Sequence, residues 1–190
     1  MRLSPQQHYQ EQLKQPNYVI DEQQSLAVTK LDLLYQELNN PHIEQPQGIY
    51  IWGDVGRGKT FLMDMFFNSL ENEKKLRLHF HHFMAKIHKA LFQRSGYKNP
   101  LKRIARDIAK ECRVICFDEF FVSDIGDAMI LRRLFEALFE QGVTLVATSN
   151  IPINKLYEKG LQREQFLPTI ALLNKYTLEL HLNGKQDHRL

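Results

Sequence analysis

Long apolar runs are missing from this chain of 190 residues. No window approaches the ~20 consecutive apolar residues that span a bilayer. The opening residues, Met1 to Gln7, carry no apolar stretch of the kind that directs secretion, so the chain is expected in the cytoplasm. Cysteine is scarce too, Cys112 and Cys116 being the only two. Both lie in or beside the apolar run Arg113 to Phe117, read as a strand, where four residues separate Cα atoms by roughly 13 Å, beyond disulfide reach. A metal centre on them would need two further ligands at matching spacing, so packed, reduced thiols are expected. Low-complexity segments are absent. Neither sign of charge dominates: 25 Lys and Arg against 22 Asp and Glu leave +3. That mild basic excess suits an anionic ligand without predicting nucleic acid, which is not expected as a partner.

What remains is an ordinary soluble composition, 43% hydrophobic and 25% charged, on a length that favours one main domain. Helical patterns cover 4–14 and 22–38. In the second, Ala27, Leu31, Leu34, Tyr35 and Leu38 share a face and Asp21 stands as N-cap. The polar stretch through Pro46 links these to Gly48–Trp52, a continuous apolar run suited to a buried parallel strand. Helical spacing follows from Lys59 to about Leu70. A second strand is expected over Leu76–His82, a helix over Phe83–Phe92, and a basic amphipathic segment over Leu101–Lys110. A third strand is read at Arg113–Asp118.

Ser123 or Asp124 caps a long helix to Gln141, which Gly142 stops, and Val143–Thr148 is the fourth strand. A helical region holding Leu156 and Leu161 comes next, Pro168 opens another short helix, and Tyr176–Leu182 is the fifth strand. Strands alternating with helices give an α/β fold, a parallel sheet covered on both faces. The division expected is a helical segment over 1–45 and a nucleotide-binding core over 46–190.

Gly53, Asp54, Val55, Gly56, Arg57, Gly58, Lys59 and Thr60 meet the pattern G-x-x-x-x-G-K-[ST], directly after an apolar strand and directly before a helix. Glycines let the backbone wrap phosphate, so that amides and the helix N-terminus face the β-phosphate while Lys59 reaches β and γ oxygens. Phe61 follows in the same binding stretch, and Thr60 is placed to ligate Mg²⁺. Val114–Phe117 then delivers Asp118 and Glu119 at a strand's C-terminal end, where ligands of open α/β sheets bind. Asp118 is expected to hold Mg²⁺ through its water shell, and Glu119 to orient and deprotonate the attacking water. The acidic pair argues against a P-loop kinase. Asn150, at the end of the fourth strand, is the candidate sensor for the γ-phosphate or that water.

The histidines at 79, 81, 82 and 88 do not read as a zinc site. His79 and His81 alternate onto one strand face with no cysteine or acid at ligand spacing, so surface or partner contacts are expected. Phe80, Phe83 and Phe92 read as core rather than a base-stacking platform. Lys98, Lys102, Arg103, Arg106 and Lys110 read as a solvated helix face.

The stretches Gly48–Thr60, Phe83-Met84 with His88, Cys116–Phe120, Asp124–Leu131, Ala147–Asn150 and Gly160–Pro168 together resemble the AFG-type AAA+ ATPases, over roughly residues 46 to 189. The resemblance implies a five-stranded parallel P-loop sheet of the ASCE/AAA+ kind, order 5-1-4-3-2. It implies a cytoplasmic Mg²⁺-dependent ATPase that acts as a homo-oligomer. Its partners would be division-site proteins such as FtsZ in bacteria, while eukaryotic relatives serve mitochondrial protein quality control. Arg163, in Gly160–Arg163, stands where AAA+ subunits present an arginine finger to a neighbour, with Arg132 and Arg133 as competitors. Two departures are visible: the family's Asp-Tyr-Arg near the end reads Asp187-His188-Arg189, and the helical lid with its sensor arginine is not among these residues. Weak ATP binding and slow turnover are expected of this stretch. Two readings stay open: an ATPase that remodels a protein partner, or an ATP-controlled switch or helicase-loader-like scaffold with incidental turnover.

Overall fold

The computed structural model describes residues 2–56 and 58–182. Arg57 and the Asp187-His188-Arg189 motif lie outside the described residues. Five strands, β1 (Gly48–Trp52), β2 (Lys75–His79), β3 (Val114–Asp118), β4 (Thr144–Ser149) and β5 (Thr177–His181), form one sheet in the order β2-β3-β4-β1-β5. Every pairing is parallel. This is the expected order read from the opposite edge. Central strands of such a sheet are covered on both faces, and β1, β3 and β4 are buried almost throughout, Thr144, Thr148 and Ser149 of β4 included.

Alternation along each strand divides the interior into two layers. On one face Ile49, Ile51, Val114, Cys116 and Val146 pack with α1 (Pro5–Leu13), α2 (Glu22–Leu38) and α3 (Lys59–Ser69), through Tyr9, Ala27, Leu31, Leu34, Leu62 and Phe66. On the other, Tyr50, Ile115, Phe117, Leu145 and Ala147 meet α4 (Phe80–Gln93), α5 (Pro100–Glu111), α6 (Ile125–Glu140) and α7 (Arg163–Tyr176). Gly48 allows β1 and β4 to close up at their start, since a Cβ there would stand 1.8 Å from the Leu145 carbonyl oxygen.

The first two helices are thus part of the same core as the strand that leads into the glycine-rich loop. Ser4 and Gln7 form a capping box on α1, and Asp21 caps α2 by accepting from the amides of Gln23 and Gln24. The linker behind α2 is fixed by side chains of the sheet's far end: Arg113 donates to the carbonyls of Leu38 (2.7 Å) and Ile43 (3.2 Å). Gln45 donates in turn to those of Phe139 and Val143.

Four local expectations are corrected. The second strand ends at His79 rather than 82, because Phe80, Phe83, Met84 and Ile87 recur at helical spacing and bury themselves together, starting α4 early. Pro168 lies inside α7 rather than opening a helix. There the burial of Phe166, Thr169, Ile170 and Leu173 on one side outweighs the backbone hydrogen bond a proline forgoes. No helix forms around Leu156 and Leu161, where a short 3-10 turn at Ile153–Lys155 leads into irregular chain. Phe92 stands exposed on α4 instead of in the core; Cys112 ends α5 beside β3, which contains Cys116. Both thiols are free and buried, and burial pushes that of Cys116 up to about 12, so it stays protonated and inert at neutral pH.

Candidate functional site

At the C-terminal edge of the sheet the chain leaves β1 through Gly53, whose amide donates to the Ser149 carbonyl at 3.1 Å, and re-enters α3 at Lys59. Gly58 is the helix N-cap at φ 86°, a left-handed conformation that glycine adopts without strain. A Cβ there would also stand 2.7 Å from the amide nitrogen of Gln24, which α2 holds buried against the loop. Gln24 is itself pinned by the hydroxyl of Tyr18 at 2.6 Å. The Lys59 ammonium folds back over the loop to the carbonyls of Gly53 (2.6 Å) and Asp54 (2.8 Å), which sets its charge in the loop's concavity. Phe61, on the first turn, packs against Tyr18 with ring centroids 6.3 Å apart.

Asp118 is the last residue of β3, and Glu119 follows at φ 53°, a left-handed backbone uncommon outside glycine that turns its side chain out of the strand path. The β3 and β4 tips are laced together past that point. The Phe120 amide donates to the Thr148 carbonyl (2.7 Å), the Glu119 amide to the Thr148 hydroxyl (3.3 Å), and the Ser149 hydroxyl to the Phe120 carbonyl (2.7 Å). This lacing carries Asn150 to the same rim. A cavity of about 600 Å³ results, its walls including Gly58, Lys59, Thr60, Phe61, Asp118, Glu119 and Asn150. Residues far apart in sequence therefore face one space.

Two side chains that the sequence reading did not place at the site also line it: Arg77 was not singled out, and His79 was read as a surface or partner contact. Arg77 of β2 grips Asp118 with two donors, Nε to Oδ2 at 2.8 Å and Nη2 to Oδ1 at 3.1 Å, and its Nη1 donates to Asp64 of α3. Burial alone would lower the pKa of Arg77, but its hydrogen bonds to Asp118 and Asp64 outweigh that and raise it, so the guanidinium is always charged. The signal for Arg77 was the alternation Lys75, Arg77, His79 on one face of β2. Only the parallel register, His79 opposite Asp118, shows which acid it meets. The second is His79, whose Nδ1 stands 3.5 Å from Glu119 Oε2.

The other histidines depart from the expectation. His81 belongs to α4, not to the strand face of His79, and the rings of 79, 81 and 82 gather at the strand-to-helix junction with centroids 4.2 to 5.9 Å apart. Acids do lie near His88: its Nε2 is 2.6 Å from Asp127 Oδ1, with Asp124 beside them. Asp124 caps α6 and Asp127 sits in its first turn, so the contact clamps α4 to α6.

Arg163 stands away from the cavity, at the first position of α7, where its Nη2 donates to the carbonyls of Asn154 (2.8 Å) and Leu156 (3.4 Å). Arg132 and Arg133 line a different groove, between α5 and α6. Among the described residues no helix is long and apolar enough to cross a membrane.

Chemically, the loop amides, Lys59 and Thr60 offer positive and neutral donors to a phosphate chain, and Thr60 with Asp118 offers the hard oxygen ligands that Mg²⁺ takes. Thr60 and Asp118 line the same cavity, so two hard oxygen donors share one space. The donor set fits Mg²⁺.

Comparison with known proteins agrees with this architecture. Residues 3–190 match the family model described as AFG1-like ATPase. The chain is 42% identical over 212 aligned positions to cell division protein ZapE of Escherichia coli, covering 99% of this chain and 56% of that protein. It is 44% identical over 165 positions to lactation elevated protein 1 homolog B of Danio rerio, covering 81% of this chain and 32% of that one. The chain thus spans from 32% to 56% of the length of these curated relatives. Among solved structures, DnaI superposes with a TM-score of 0.64 at 17% identity, covering 92% of this chain and 88% of that one. AMPPCP-bound DnaA of Aquifex aeolicus does so with a TM-score of 0.63 at 15% identity, covering 91% and 50%. At such identities the likeness concerns the fold alone.

Proposed function

The chain belongs to the AFG1-like ATPase family, and from that premise we propose that its 53–61 loop and the acids of β3 hydrolyse ATP to ADP and phosphate. The observation that carries the reading is the convergence of Lys59, Thr60, Asp118, Glu119 and Asn150 on one cavity. Lys59 and the loop amides hold the β- and γ-phosphates and stabilise the charge that develops there. Thr60 and, through water, Asp118 hold Mg²⁺, which when bound neutralises the phosphate oxygens. Glu119 accepts a proton from the water that attacks the γ-phosphorus. The bond from that phosphorus to the bridging oxygen breaks, and Lys59 lies against the departing ADP. Asn150 aligns the water or a γ-oxygen.

Hydrolysis would drive remodelling of a protein partner in an oligomeric assembly, in the cytoplasm; likeness to a protein named for cell division supports a division role. FtsZ or another division protein is the partner class this implies. Arg163 would act as the finger after releasing the carbonyls of Asn154 and Leu156. Those same hydrogen bonds favour a second reading, the ATP-controlled switch or loader-like scaffold, because an arginine held by its own chain offers nothing to a neighbour's nucleotide.

An ATPase assay run across protein concentration, with binding of a fluorescent ATP analogue measured alongside, tests the proposal. Lys59→Ala is expected to lose roughly 10- to 100-fold in affinity, as for a hydrogen bond to a charged group. Equal binding and equal turnover by Lys59→Ala would sink the nucleotide reading. Specific activity that rises with concentration supports a shared site, and a flat profile favours the switch.

A further inference from the structure

We propose that Arg77 holds the metal's place: its guanidinium stands in for the divalent cation between Asp64 and Asp118, so that Mg²⁺ gains entry only together with a nucleotide. The inference rests on the nucleotide reading above and adds an order of binding to it. Arg77 reaches from β2 between two carboxylates carried by different elements, Asp64 on α3 and Asp118 on β3. Both oxygens of Asp118 accept from it in the fork arrangement that a guanidinium makes and an ammonium cannot. Only 20% of the Arg77 side chain and 16% of that of Asp118 are exposed, so water screens the pair poorly.

A bare divalent ion approaching Asp118 therefore meets a fixed positive charge that no accessible pH removes, and a carboxylate whose lone pairs are already engaged. A nucleotide changes that balance. Its phosphates bring several negative charges to the cavity that Arg77 lines, where they offset the guanidinium and supply oxygens to the metal as well. Metal and nucleotide are then coupled ligands, each raising the affinity of the other by the same factor. Without Arg77, Asp64 and Asp118 would face each other across the vacated space. Two like charges of hard oxygen chemistry there make a cation site in their own right.

The test is a Mn²⁺ titration of the full chain, followed by electron paramagnetic resonance, without nucleotide and then with a non-hydrolysable ATP analogue. Parent protein without nucleotide is expected to bind Mn²⁺ at least about 10-fold more weakly than Arg77→Gln, as removal of one unscreened like charge implies. Adding Asp118→Asn to Arg77→Gln should abolish the gain, and the analogue should restore Mn²⁺ binding to the parent. Equal Mn²⁺ affinity in parent and Arg77→Gln without nucleotide would overturn the proposal, as would a gain that survives Asp118→Asn. Should Arg77→Gln fail to fold by circular dichroism, Arg77→Met carries the same comparison. It too removes the positive charge while keeping the length of the side chain, so tighter Mn²⁺ binding than the parent's is expected, and parent-like binding counts against the idea. If the analogue binds no variant, the nucleotide reading fails on its own, while the nucleotide-free arm still decides whether Arg77 excludes the metal.

Discussion

The two halves of the candidate site are built in opposite ways. The phosphate half is one continuous stretch, Gly53 to Phe61, closed by its own carbonyls and by the start of α3. The acidic half is assembled from the tips of β2, β3 and β4, with Arg77, His79, Asp118, Glu119 and Asn150 meeting only through parallel register and cross-strand hydrogen bonds. A contiguous loop keeps its shape through local geometry. An assembled one keeps its shape only while the sheet and the helices over it stay packed, so the two halves should fail differently when perturbed.

The sharpest way to separate them is Glu119→Gln. It leaves the loop untouched and removes the base, so turnover is expected to fall roughly 10²- to 10⁴-fold with nucleotide affinity unchanged. Turnover preserved in this variant would assign the acidic half a role in switching alone. Leu31→Ala perturbs both halves through the packing beneath them. Leu31 of α2 is fully buried against the face that carries β1 and α3, and its truncation should cost about 2–5 kcal/mol. Because Trp52 in β1 is the only tryptophan, urea unfolding followed by its fluorescence and by circular dichroism should shift together. Divergent transitions would show that α1 and α2 do not share the core's cooperativity.

The smallest effect concerns Cys116, under the acidic half. Its folded pKa, pushed up to about 12 by burial, exceeds the unfolded value of about 8.5. The stability it contributes is complete below the lower value and is lost as pH rises between the two. Urea midpoints should therefore decline above about pH 8.5 more steeply in the parent than in Cys116→Ala. Parallel declines would refute this.

The same contrast explains what could be read from sequence. The loop, its strand and its helix are written consecutively, and Asp118-Glu119 follows an apolar run whose strand character is plain, so these positions were legible, whereas the sheet order came only with the family resemblance. Arg77 was not, because its partner stands 41 positions away and becomes visible only with the β2–β3 register. The early start of α4 was hidden by a segment that is apolar in both periodicities, and burial of Phe80, Phe83 and Met84 decided it. At Pro168 the local rule that proline opens a helix gives way to the helical spacing of the buried residues around it. His88 beside Asp127 is likewise a product of helix packing, which no spacing within either segment announces.

Gly58 carries a consequence for second-site suppression. A side chain there is barred twice, by a backbone at φ 86° and by the Gln24 amide 2.7 Å from where its Cβ would stand. The second bar lies at the end of a flexible side chain and yields to a shorter residue at 24. The first belongs to the loop's own dihedrals and yields to nothing in α2. A revertant search starting from Gly58→Ala should therefore recover codon 58 itself and not position 24, even though the two residues touch.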